Sequence, residues 1–106
     1  MIFTAEHIEK IRRGEKTETR RIWKRPHVKV GGVYKTRRSQ WRKPEDGNPS
    51  IRVTEMRTEP LSKLDEKAAR REGGYTLHEF VEPWRGLHGE WNPGQEVYVV
   101  RFEVVK

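Results

Sequence analysis

Cysteine is absent from this chain of 106 residues, which excludes a disulfide framework and a thiolate metal site. Apolar residues are few, 32% against 37% charged. No apolar run approaches the roughly 18 residues of a membrane span, and the first residues lack a signal-peptide profile. The expectation is a cytoplasmic protein. The four histidines (His7, His27, His78, His88) show no ligand spacing, and His88-Gly89-Glu90 is too slight for a metal site. Neither a glycine-rich nucleotide loop nor a nucleophile elbow occurs. No metal and no cofactor is therefore expected. Low apolar content does not imply disorder here. The apolar residues fall in periodic segments, and four Trp, three Tyr and three Phe are present. They suffice for a modest core, and residues 1–106 read as a single domain.

Acids are missing from one stretch in particular. Between Lys10 and Lys43, fourteen Lys and Arg meet only Glu15 and Glu18, a local net charge of +12 in a chain of net +7. The remainder is net acidic. A split this strong is the footprint of a surface that meets phosphates, with RNA the first candidate partner. Two other readings stay open. Asn and Gln are rare (Gln40, Asn48, Asn92, Gln95), and few amides with many Glu, Lys and Arg also fit an ion-paired thermophile surface. A basic face also suits an acidic protein partner. Nothing in the sequence fixes an oligomeric state.

Thr4 is a good N-cap, Phe3 and Ile8 hold staple positions, and Gly14 supplies a stop, which predicts a helix over 5–13. Residues 17–23, rich in Thr and in β-branched or aromatic residues, predict a strand. Gly31-Gly32 turns the chain into a second strand over 33–38. Residues 39–50, with Pro44, Asp46-Gly47 and Asn48-Pro49, read as loop. A third strand is expected over 51–58, with Ile51, Val53, Glu55 and Arg57 on one face and Arg52, Thr54, Met56 and Thr58 on the other. Ser62 followed by Asp65 approximates a capping box and predicts a helix over 63–71, stopped by Gly73-Gly74. Thr76 with Glu79 opens another helix through Leu87. Residues 96–105 alternate strictly, which puts Tyr98, Val100, Phe102 and Val104 on the inner face of a last strand. Short strands with helical insertions give an α+β protein built on a small mixed β-barrel flanked by short helices.

Gly14, Lys16, Thr17, Thr19 and Arg21 sit between that first helix and first strand. Gly32-Val33-Tyr34 follows, and later Pro93-Gly94 precedes Val97-Tyr98-Val99-Val100-Arg101-Phe102. In this order, and along nearly its whole length, the chain resembles the ASCH domain family, small archaeal and bacterial single-domain members in particular. The resemblance implies a PUA-like β-barrel and an RNA-related role, with RNA held in a cleft beside the Gly-x-Lys motif. One small bacterial branch of that family hydrolyses N4-acetylcytidine to cytidine and acetate, and another is associated with ribonuclease activity. The resemblance to the first of these implies a catalytic set of Lys16, Thr19 and Glu72.

The residue types suit that chemistry. An amide hydrolase needs a nucleophile, a base and a proton donor for the leaving amine. Thr19 is the candidate nucleophile. Lys16 is the candidate base if its pKa falls well below about 10.4. Glu72 is the candidate to orient water or relay protons. Residues three apart on a regular strand face opposite sides, so the set requires Lys16 to lie in the turn before the strand.

For binding, Thr17, Thr19 and Arg21 share a strand face, and Arg21 offers a bidentate fork to phosphate or a base edge. Arg20 points the other way, to solvent or to nucleic acid. Lys16, Arg37, Arg38 and Arg42 add positive charge, and Trp23, Tyr34 and Trp41 interleave aromatic rings with it. That pattern suits single-stranded or looped RNA. Trp41, set between Arg37-Arg38 and Arg42-Lys43, is expected to be exposed, and Trp84 and Trp91 to be core or cleft wall. The leading expectation is RNA binding in a basic cleft. The alternative is hydrolysis of a modified nucleoside or of RNA.

Overall fold

The computed structural model describes residues 1–105. Local side-chain chemistry sets where its helices start. Thr4 caps α1 (Ala5–Arg12), its hydroxyl accepting from the His7 N–H at 3.2 Å. Phe3 and Ile8 are buried in one cluster, as a hydrophobic staple requires. Asp65 caps α2 (Glu66–Gly73) through the Ala68 N–H at 2.8 Å. The helix expected from 63 begins later than that. Leu61–Lys63 form a separate 3-10 turn, and Leu64, buried and extended, divides it from α2. At the other end α2 runs two residues further than expected, which places Glu72 on its last turn. The Thr76–Glu79 capping box is complete and opens α3 (Leu77–His88).

Four strands form an antiparallel sheet: β1 (Glu18–Arg21), β2 (Val33–Lys35), β3 (Ser50–Pro60) and β4 (Glu96–Val105), in the order β1-β4-β3-β2. The first two are shorter than the sequence suggested. The segment Met1–Phe3 reaches both edges of the sheet. Ile2 forms a parallel bridge with Arg37 beyond β2, and Arg21 at the end of β1 donates to the Ile2 carbonyl at 2.7 Å. The four strands themselves pair only antiparallel, so the mixed strand sense expected of the sheet is confined to this isolated parallel bridge.

A bulge between Val53 and Glu55 changes the phase of β3. The extra residue, Thr54, brings Met56 onto the same face as Ile51 and Val53, opposite Val100. The expected alternation, with Met56 on the other face, holds only as far as the bulge. On β4 the predicted inner face is observed for Val100, Phe102 and Val104, which pack with α1, Ile51 and Val53, whereas Tyr98 is half-buried against Trp23 and outside this core. The opposite face is buried as well. Val97 and Val99 pack against α2 and α3 with Leu61, Leu64, Ala68, Ala69, Phe80 and Trp84. β4 is thus covered on both sides along its middle, and the sheet separates two cores. Among the described residues no helix is long and apolar enough to cross a membrane.

Candidate functional site

A cavity of about 500 Å³ opens between the residues leading into α1, the strand β1, and one side of α3. Its size lies within the roughly 300–1,000 Å³ usual for small-ligand sites. Gly14 sets the path of the chain into it. It adopts φ +79°, a left-handed turn that ends α1 and delivers Lys16 just ahead of β1. Lys16 is therefore off the strand, which the candidate catalytic set requires. Lys16, Thr19 and Glu72 all line this cavity, and all three are buried.

The Lys16 ammonium donates to three acceptors: the Glu18 carbonyl at 2.9 Å, the Glu72 carbonyl at 2.8 Å and Glu72 Oε1 at 3.2 Å. An ammonium has three N–H donors, so none is left over. Burial pushes its pKa below the ordinary lysine value, the Glu72 carboxylate opposes this, and Arg21 adds to the lowering. The other oxygen of Glu72 accepts from Arg20 Nη1 at 2.9 Å. Arg20 also donates to Glu18 Oε2 at 2.7 Å and to Glu59 at 3.3 Å. Glu18 is fully buried and accepts further from Arg71 at 3.1 Å and Arg101 at 3.0 Å. Burial alone would raise the Glu18 carboxyl, but Arg20, Arg101 and Arg71 hold it below its ordinary value.

Arg20 was expected to meet solvent or nucleic acid. It is 4% exposed and its guanidinium is enclosed by Glu18, Glu59 and Glu72. Desolvating a guanidinium is tolerable when carboxylates surround it, and here they engage Nη1 and Nη2 while Nε is buried without a partner. Arg21 is different. Its Nε donates to Thr19 Oγ1 at 3.3 Å, its Nη2 to the Ile2 carbonyl, and its plane lies over the Phe3 ring at 4.8 Å.

Aromatic side chains make the walls: Phe3, Trp23, Tyr75, Phe80 and Trp84. Trp23 stacks on His27 at 4.7 Å. Tyr75 is held from two sides, its hydroxyl 2.8 Å from His7 Nε2 and its ring 4.1 Å beneath the Lys10 ammonium. Burial, and then the positive charge of Lys16, lower the His7 pKa to about 4. The imidazole is therefore neutral near pH 7.

The remaining candidates fall outside or at the mouth of the cavity. Arg38 reaches its rim and makes only a loose exposed pair with Glu45 at 3.8 Å. The Arg37 backbone is tied to Met1 and Phe3. Trp41, at 86% exposure, and Arg42 stand on the loop after β2, away from the cavity lining. Tyr34 is half-buried and accepts from the Lys29 N–H at 3.0 Å. Trp91 packs edge-on to Phe80 and Trp84 as core, whereas Trp84 is both core and cavity wall. Phe3, His7 and Tyr75 were not anticipated as site residues. Only Gly73-Gly74 before Tyr75 hinted at a close approach there.

No protein-family model matches the chain, and no curated protein matches it. Solved structures do. An ASCH domain from Lactobacillus crispatus JV V101 matches with a TM-score of 0.71 and 20% identity, over 92% of this chain and 69% of that one. This chain has the ASCH fold. A protein of Enterococcus faecalis V583 in the DUF984 family gives a TM-score of 0.67 at 21% identity, over 98% and 77% of the two chains. A hypothetical protein gives 0.70 at 21% identity, over 97% and 94%. The likeness is one of fold, an α+β domain with the four-stranded sheet and three helices described above.

Proposed function

We propose that this ASCH-fold domain binds RNA and takes one unstacked nucleotide into the cavity beside Lys16. The observation that carries the reading is the cavity itself, which combines aromatic walls with a polar, charged floor. Single-stranded RNA is held by stacking unpaired bases on aromatic rings and by hydrogen bonds to their edges. Thr19 and Arg21 supply donors on the floor, and Glu72 supplies an acceptor. Arg38 at the rim and the basic loop carrying Trp41 and Arg42 would follow the strand outward. The test is binding of a single-stranded oligoribonucleotide, read from quenching of Trp23 and Trp84, as a function of salt. Affinity should fall steeply, with a slope of about 0.7 per neutralised phosphate. A salt-independent affinity overturns the reading.

A second reading is favoured by one observation, that Lys16, Thr19 and Glu72 line the same cavity. In it the domain hydrolyses the amide of an N4-acetylated cytidine. The Thr19 hydroxyl oxygen attacks the acetyl carbonyl carbon and passes its proton to Lys16, which must first lose one. The carbon–nitrogen bond breaks, the cytosine amine leaves with a proton, and water releases acetate from Thr19. Purified protein should then yield cytidine, and Lys16→Ala and Thr19→Ala should yield none. No product from the wild type removes this reading and leaves the first intact.

A further inference from the structure

The buried charges around the cavity do not balance. Lys16 and Arg20 are matched by Glu72 and Glu18, in contacts of 2.7 to 3.2 Å. Arg21 has no such match. Among the described residues no carboxylate lies within ion-pair distance of its guanidinium. Its contacts are a carbonyl, a hydroxyl and an aromatic face. Neutral partners fix the plane of the fork without neutralising it. Buried charges in proteins are normally paired, so an oriented, half-buried and unpaired guanidinium on a cavity wall marks the place of an anion.

Two observations sharpen the point. Nε and one hydrogen of Nη2 are engaged, so three of the five N–H donors remain for a ligand. Arg21 also adds to the lowering of the Met1 amino group, His7 and Lys16. Its positive charge is therefore felt around the cavity, and Glu72 opposes it only from beyond ion-pair distance.

Resting on the proposed binding of a nucleotide in this cavity, we infer that the nucleotide carries a phosphate monoester, which sits on Arg21. A monoester at neutral pH bears close to two negative charges and presents the paired oxygens that a guanidinium fork fits. An internal phosphodiester is the poorer match. It would have to lead two strand continuations back out of a cavity of about 500 Å³ that already holds a base. The ligand is therefore either the phosphorylated end of an RNA strand or a free nucleoside monophosphate.

Calorimetric titration of the wild type separates these. The probes are cytidine, uridine, their 5′- and 3′-monophosphates, and a pentaribonucleotide with a 5′-phosphate, a 3′-phosphate or hydroxyl ends. A monophosphate should bind about 10- to 100-fold tighter than its nucleoside, the range for hydrogen bonds to charged groups. If the phosphorylated pentamers show that preference, the ligand is an RNA end. If only the mononucleotides do, it is a free nucleotide. Arg21→Gln, which keeps a donor for Ile2, should abolish the preference for the monophosphate over its nucleoside, and Arg21→Lys should keep part of it. The wild-type comparison stands even if a variant folds poorly. Equal affinity for nucleoside and monophosphate, with pentamers insensitive to end phosphorylation, overturns the inference and leaves the RNA-binding reading in place. Absence of any nucleoside, nucleotide or RNA binding defeats both.

Discussion

Lys16 grips Glu72 twice, donating to its main-chain carbonyl at 2.8 Å and to its carboxylate at 3.2 Å. One lysine thereby fixes both the end of α2 and the side chain that α2 delivers to the cavity. The carbonyl is among those a helix terminus leaves without an intrahelical partner, and a cation there is also favoured by the helix dipole. The contact joins the turn before β1 to α2, so cavity floor and fold share the same bonds.

That sharing predicts a large stability effect. Lys16→Met leaves Glu72 with Arg20 alone, and Glu72→Gln leaves Lys16 without its carboxylate. Removing one partner of a buried ion pair destabilises by about 3–5 kcal/mol. The double variant should lose less than the sum of the two, because neither change then strands a buried charge. Urea unfolding of the four proteins checks this. Additive losses would mean that the pair is not coupled.

Gly73 should resist substitution for a reason visible only in three dimensions. It has φ +155°, and a Cβ there would lie 2.8 Å from Tyr75 Cε2. Gly73→Ala is expected to destabilise by about 1–3 kcal/mol and to displace Tyr75 from His7. Thermal unfolding reports the first effect and the His7 ring resonances report the second. An unshifted melting temperature would contradict the packing described.

Much of the fold was legible because its signals are local. The Thr76–Glu79 box, the Thr4 cap and the alternation of β4 involve residues a few positions apart. The departures are not local. The bulge at Thr54 reverses the phase of β3, and nothing around Thr54 announces an extra residue. Both faces of β4 are buried because α2 and α3 cover its second side, which alternation cannot reveal. In the site, the Gly14-to-Arg21 segment was readable, since a glycine stop followed by Lys, Thr and Arg is a compact pattern. The burial of Arg20 was not, because its partner Glu72 is 52 residues away. Phe3, His7 and Tyr75 likewise converge from separate elements.

His7 gives the protein a defined acid sensitivity. In the unfolded chain its imidazole takes a proton below about 6.5, and in the folded protein only below about 4. Between these values the unfolded state holds more protons, so stability rises with pH through that window and falls as pH drops. Glu18 acts in the same direction at lower pH. Its depressed carboxyl stabilises the fold above the ordinary value of 4.5, and that share is lost as acid protonates it. Melting temperatures of the wild type between pH 4 and 6.5 should therefore decline with acid, and His7→Asn should flatten the slope whatever its absolute stability. An unchanged slope in the variant would assign the titration elsewhere.

The cavity and the loop carrying Trp41 should make separable contributions to RNA affinity, because they use different physics. Trp41 is almost fully exposed and has no packing to lose, so Trp41→Ala removes only what the ring gives to a bound base. That loss is about 1–3 kcal/mol for a stacked base, with the salt slope unchanged. If the loop follows the strand as proposed, Arg38→Ala and Arg42→Ala remove phosphate contacts instead, and each should lower the slope by about 0.7. None of the three should alter the affinity of a free nucleoside, with the strictest test at Arg42, which is outside the cavity lining. Oligonucleotide titrations at several salt concentrations, beside a nucleoside titration, decide the matter. If Trp41→Ala changed the slope while Arg42→Ala left it alone, the loop would not follow the strand, and the basic charge of residues 10–43 would need another partner, an acidic protein surface before any other.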